Sequence, residues 1–295
     1  MKRAELIFIC GALLAIALVG TADARGGEEN EIRILRTPSG VRFGILGEKA
    51  RTPAPTLFVF AVNIEDTLRI DEFNKVGHIL ARDGYLCVSL DVPCHGTDAK
   101  TGEEANTLNC WRIRLEKGDA LLPEYLAKAS AVLDYLIMQG FTDPQKVAAS
   151  GTSRGGFIAL HFAAADPRVR CVAAFAPVTN LLVLREFAGL EGDSVTVRKI
   201  KALALVNSAQ KLAGRSIWVC IGNYDRRVGT DEAIAFSRRV VEASVAQNRP
   251  ANVEVHILPS FGYQARAYND GHQIPIALAH EEAAAWIEAR TRESN

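Results

Sequence analysis

Along this chain, short apolar runs rich in branched side chains alternate with longer stretches in which apolar residues recur every three or four positions. The short runs predict strands at Ile32–Leu35, Val41–Leu46, Thr56–Val62, Tyr85–Leu90, Val147–Ser150, Cys171–Phe175, Ile217–Ile221 and Val253–Leu258. The longer stretches predict helices over about Ile70–Arg82, Leu121–Gln139, Ser153–Ala165, Asp231–Gln247 and Ile276–Arg290. No helical pattern separates the first two strands, so they form an antiparallel start. From there strand and helix alternate, which predicts an α/β fold with a doubly wound, mostly parallel sheet of about eight strands. Near-continuous apolar runs such as TLFVFAV fit strands buried on both faces.

Two stretches break the rhythm. Residues Val178–Gly214 follow a strand but carry about two helical pieces, a small helical insert or lid. Pro93–Gly118 is a long polar loop holding Trp111, a candidate for the opposite wall of a pocket. The first 24 residues read as a separate object. Lys2 and Arg3 precede an apolar stretch, Leu6–Gly20, and then Ala22-Asp23-Ala24, the pattern of a secretory signal peptide cut after Ala24. The apolar stretch is shorter than the roughly 20 residues a spanning helix needs, so no stable membrane anchor is expected. Residues 25–295 are expected to form one domain, secreted or periplasmic.

Composition narrows the picture by exclusion. Lysine plus arginine and aspartate plus glutamate each number 34, and no block of one sign stands out. Nothing therefore argues for nucleic acid or an anionic surface as a partner. Oligomeric state is not readable. Cys87, Cys171 and Cys220 lie in strand-like runs and read as small buried hydrophobes. Cys94 and Cys110 lie in loop sequence. Export would permit a bond between them, but sequence leaves the pairing open. No spacing matches a zinc site, and no metal or other cofactor is expected.

The chemistry concentrates at VAASGTSRGGFIAL, Val147–Leu160. Gly151-Thr152-Ser153-Arg154-Gly155 is a G-x-S-x-G string between a strand and a helix, the context of a nucleophile elbow. The strained turn lifts Ser153 Oγ above the carboxyl end of the sheet, and the glycines remove side chains that would collide. The amide of Arg154 then faces a developing oxyanion. A serine hydroxyl needs a base, and the base an orienting acid. In this fold they follow in the order Ser, acid, His. Asp225 sits in the turn after IWVCIG, and His272 in the loop YNDGHQIP before the last helix. His256 falls in a strand pattern and His280 in a helix, so His272 is the candidate base. Asp231 reads as part of the next helix start, which leaves Asp225 as the candidate acid. The loop after the third strand, FAVNIEDTL, offers Asn63 or Ile64 as the second oxyanion donor. Trp111, Arg154 and Tyr263 are candidate substrate contacts.

These residues resemble the α/β-hydrolase superfamily, specifically its dienelactone-hydrolase-like and prolyl-oligopeptidase-like branch. The resemblance rests on GTSRGG, the strand leading to Asp225, DGHQIP, and SLDVPCHG at Ser89–Gly96, and it covers nearly all of residues 25–295. It implies the α/β-hydrolase fold and hydrolysis through an acyl-enzyme. Cys94 replaces the glycine usual in the Asp-x-x-Gly-His-Gly turn, and His95 there reads as structural. The dienelactone hydrolases proper use a cysteine nucleophile where this chain has Ser153. Two substrate classes compete: a carboxylic ester, including acylated carbohydrate, and a peptide of the acylaminoacyl or dipeptidyl type. Peptidases of this branch usually carry a propeller, for which the residues before the first core strand are too few. A single exported domain therefore favours a small-molecule or oligosaccharide ester. A non-catalytic ligand-binding relative is the reading of another class, and a complete triad argues against it.

Overall fold

The computed structural model describes residues 31–48, 50–190, 192, 194–259, 271–272 and 276–292. The segment 1–24 and Tyr263 lie outside them. In chain order the elements are β1 (Arg33–Arg36), β2 (Arg42–Leu46), β3 (Ala54–Phe60), α1 (Ile64–Arg69), α2 (Asp71–Arg82), β4 (Leu86–Ser89), α3 (Leu108–Glu116), α4 (Pro123–Met138), β5 (Thr142–Thr152) and α5 (Arg154–Ala165). They continue with β6 (Val169–Phe175), α6 (Val195–Ala202), α7 (Ala209–Leu212), β7 (Ser216–Gly222), α8 (Thr230–Ala246), β8 (Val253–Leu258) and α9 (Ile276–Arg292).

One eight-stranded sheet runs in the order β1-β2-β4-β3-β5-β6-β7-β8. β2 pairs antiparallel with both β1 and β4, and every pairing from β4 to β8 is parallel. Parallel strands need helical crossovers, and those cover both faces of the sheet. The central strands are buried accordingly: Leu57, Phe58, Val147, Ala148, Val172 and Val219 are all fully inaccessible. β1 and β8 close the two edges and are partly exposed.

All eight predicted strands are present. β5 is much longer than its apolar run, because the polar residues Thr142–Lys146 still pair alongside β3 through Ala54 and Thr142. Thr56 and Thr142 share a buried hydroxyl bond of 2.8 Å there. Two helices go beyond the predicted pattern. Asn63 caps α1 by accepting the Asp66 amide at 2.8 Å. Within the predicted loop Pro93–Gly118, Thr107 caps α3 by accepting the Cys110 amide at 3.1 Å. The stretch 178–214 carries α6, α7 and short 3₁₀ turns, as its sequence suggested.

Cys94 and Cys110 are joined in a disulfide, with Cα atoms 6.3 Å apart. The bond ties the β4 exit to α3. Cys87, Cys171 and Cys220 are buried free thiols, and burial pushes each up to about 12. They are inert fillers of the core. A disulfide of this sequence span contributes about 3 kcal/mol by restricting the unfolded chain. Replacing both Cys94 and Cys110 by alanine is therefore expected to lower the unfolding free energy by that order in a denaturant titration. An unchanged midpoint would show the bond to be idle. No helix among the described residues is long and apolar enough to cross a membrane.

Candidate active site

The elbow is built by steric exclusion. Ser153 adopts φ 55° and ψ −115°, a conformation that side chains rarely tolerate. Its amide donates to Phe175 O at 2.8 Å, and its carbonyl accepts from Val178 N at 3.1 Å, which holds the strained turn against β6. A Cβ at Gly155 would lie 1.7 Å from Phe60 O, and one at Gly151 would lie 2.6 Å from the same atom. The turn can therefore approach β3 only with glycine at both places. Arg154 opens α5, so its amide has no intrahelical acceptor and points outward beside Ser153.

Asp225 follows β7 in a tight turn and is 4% exposed. Its Oδ1 accepts the amides of Arg227 and Val228 at 2.9 and 3.0 Å. Its Oδ2 is 2.8 Å from His272 Nδ1. His272 Nε2 is 3.2 Å from Ser153 Oγ. With the proton on Nδ1, His272 donates to Asp225 and accepts from the Ser153 hydroxyl. Gly271 makes this approach possible: its φ is +73°, and a Cβ there would meet Tyr224 O at 1.9 Å. Three residues scattered over 120 positions of sequence thus form one hydrogen-bonded chain.

The chain of bonds opens into a cavity of about 850 Å³, with Ala61, Thr107, Leu108 and Phe175 among its walls. Arg154 also faces this cavity. Its Nε donates to Ala61 O at 3.1 Å and its Nη1 to Asn106 O at 3.2 Å. Burial, then the charge of Arg227, pushes Arg154 down to about 10. Arg227 itself donates to Glu186 Oε1 at 2.7 Å. Burial opposes the charge of Glu186 most strongly, but the bond from Arg227, a backbone hydrogen bond and the charges of Arg227 and Arg185 together hold this carboxyl below its ordinary value.

Several sequence candidates take other places. Trp111 is fully buried, its Nε1 donates to Pro93 O at 2.8 Å, and its ring packs on Phe157. It is a core residue, not a pocket contact, because α3 turns the indole inward. The Ile64 amide is already donated to Asp91 Oδ1 at 2.9 Å and is buried, so it cannot serve an oxyanion. The Asn63 side chain is turned toward α1, bonding Asp66, while its backbone amide has no acceptor among the described residues. His95 is fully buried with Nδ1 against Pro93 O at 3.0 Å, and burial pushes it down to about 4. That is the structural place its sequence context indicated. His256 stacks on Trp218 at 4.8 Å. His280 packs on Phe175 yet also reaches the cavity wall. Sequence reasoning missed Glu186 and Arg227, since their pairing depends on how the 178–214 insert folds back. Among the described residues, the one grouping with metal-ligand chemistry is Cys94, Glu103 and Cys110, whose thiols are consumed in the disulfide.

The sequence model of the prolyl oligopeptidase family matches residues 112–283, more than half of the chain. No curated protein matches it. Among solved structures, acetyl xylan esterase 1 from Thermoanaerobacterium sp. JW/SL YS485 is similar at 17% identity and a TM-score of 0.57, over 89% of this chain and 88% of that one. A Porphyromonas gingivalis dipeptidyl peptidase 4 is similar at 16% identity and a TM-score of 0.58, over 88% of this chain and 35% of that one. A Mycobacterium tuberculosis puromycin-hydrolyzing peptidase is similar at 12% identity and a TM-score of 0.63, over 90% and 39%. The chain thus spans little more than a third of the length of these peptidases. With the family matched and the sheet and flanking helices shared with these structures, the chain belongs to the prolyl oligopeptidase family and has the α/β-hydrolase fold.

Proposed function

We propose that the chain cleaves carboxylic esters of short acyl groups, acylated carbohydrate included, through an acyl-enzyme on Ser153. The hydrogen-bonded chain Asp225–His272–Ser153, whose Ser153 and His272 line the cavity, carries this reading. His272 takes the hydroxyl proton as Ser153 Oγ attacks the acyl carbon, and Asp225 stabilises the imidazolium that forms. The carbonyl oxygen becomes an oxyanion facing the amides of Arg154 and Asn63. The C–O bond to the alcohol then breaks, and the alcohol leaves with the proton from His272. Water, deprotonated by the same imidazole, releases the acid and restores Ser153. The cycle uses only side chains, backbone amides and water.

An ester is favoured over a peptide with a free N-terminus on charge grounds. Such a peptide brings an ammonium group, and the guanidinium beside the nucleophile would repel it. Three carboxylates are among the described cavity residues: Glu186 is bonded by Arg227 and Asp71 is bonded to His78, while Glu72 is solvent-exposed, where water screens its charge. Turnover of p-nitrophenyl acetate, butyrate and octanoate, beside an aminoacyl p-nitroanilide, tests the assignment. Ester turnover that falls with acyl length supports it. Anilide cleavage outrunning ester cleavage would replace it with a peptidase, and inertness toward every substrate would leave a ligand-binding relative. We also propose export, with a mature terminus at Arg25. The Cys94–Cys110 disulfide fits an oxidising compartment.

A further inference from the structure

Among the described residues, three cations line the cavity: Lys75, Arg154 and Arg227. Lys75 lies 3.8 Å from Asp71, and Arg227 lies 2.7 Å from Glu186. Arg154 has no ion pair among the described residues. Its bonds go to two neutral carbonyls, Ala61 O and Asn106 O. Glu186, the carboxylate that acts on Arg154 through space, is bonded to Arg227, whose own charge opposes that of Arg154. A half-buried guanidinium without a carboxylate keeps a strong demand for an anion, because burial has removed much of its hydration.

Its placement says which part of a substrate would supply that anion. In the sheet, β3 lies on one side of β5, whereas β6, β7 and β8 lie on the other. Arg154 is tethered on the β3 side, through Ala61 at the end of β3 and through Asn106 in the loop clipped by the Cys94–Cys110 bond. Asp225, which ends the β7 segment, holds His272 from the opposite side. The departing alcohol takes its proton from His272 and so lies toward it. The acyl chain then extends the other way, toward Arg154.

We propose that Arg154 binds a carboxylate at the far end of the acyl group, so that the preferred substrates are half-esters of short dicarboxylic acids. This rests on the ester-hydrolase reading above and narrows it. The guanidinium offers a two-pronged donor face to a planar carboxylate, and such charge-assisted pairs shift binding by roughly ten- to a hundred-fold.

The test compares p-nitrophenyl glutarate with its neutral methyl ester, methyl p-nitrophenyl glutarate, by kcat/KM, in the wild-type chain and in Arg154→Gln. The expected result is a preference of about ten-fold or more for the anionic substrate in the wild type, falling to none in the variant. A preference that survives in Arg154→Gln, or an equal loss on both substrates, overturns the proposal; the second result would make the side chain an oxyanion donor instead. A parallel comparison of 3-carboxyphenyl butyrate with phenyl butyrate examines the alcohol side. A larger preference there would overturn the acyl-side placement.

A binding measurement separates this proposal from the ester-hydrolase reading. Glutarate is expected to protect Ser153 from a neutral fluorophosphonate probe in the wild type and to lose at least ten-fold in potency in Arg154→Gln, with neutral butyramide unaffected. If no ester is turned over but this protection holds, the ester reading fails and the carboxylate site stands. If neutral esters are turned over and protection is absent, the carboxylate site alone fails. Probe labelling of the variant also shows that it is folded with a reactive serine.

Discussion

Ser153→Ala is expected to lower kcat on p-nitrophenyl butyrate by about a million-fold, leaving only the contribution of binding and the oxyanion amides. The size follows from the geometry. The hydroxyl lies 3.2 Å from His272 Nε2, the atom that takes its proton. The buried thiols are held far from ionisation by burial. The substitution deletes one atom from a turn whose strain is imposed by its neighbours, so the fold is expected to persist. Turnover within ten-fold of the wild type would remove Ser153 from the chemistry.

Asp225→Asn is expected to cost about ten-thousand-fold in kcat through the histidine tautomer. The amides of Arg227 and Val228 both donate to Asp225 Oδ1. An asparagine amide would keep its oxygen toward those two donors and turn its NH₂ toward His272 Nδ1. That nitrogen would then have to accept, the ring proton would move to Nε2, and the base facing Ser153 would be lost. Steady-state kinetics beside wild type reads the effect. A loss below ten-fold would mean that His272 is oriented by something other than Asp225.

How much of this was legible in the sequence varies with the physical range of each signal. The parallel sheet was readable because its strands are buried on both faces and must be apolar almost throughout, as TLFVFAV is. The elbow was readable because the close approach of Gly151 and Gly155 to Phe60 O admits no other residue. Asp225 and His272 followed from chain order, and their bonds fall at hydrogen-bonding distance. The polar amino-terminal half of β5 was not visible, since Thr142–Lys146 carry no apolar period and are held by pairing with β3. Helix α3 was hidden for a related reason: Trp111 and Leu115 are buried, but the flanking residues read as loop. The fate of Trp111 shows the limit most plainly. An aromatic residue in a polar segment invites a binding role, yet it is buried within a helix that sequence did not reveal, with its Nε1 donating to Pro93 O. Arg154 illustrates the reverse case. Sequence singled it out as a substrate contact, but only the structure shows two carbonyls, and no carboxylate, as its bonded partners.

One experiment bears on the whole mechanism at once: progressive modification of the wild-type chain by a fluorophosphonate, with peptide mapping and residual ester turnover followed together. A serine hydrolase working through Ser153 will show one adduct per chain, on the peptide that contains Ser153, and turnover will fall in proportion to it. Ester turnover that persists when Ser153 is fully modified would contradict the mechanism.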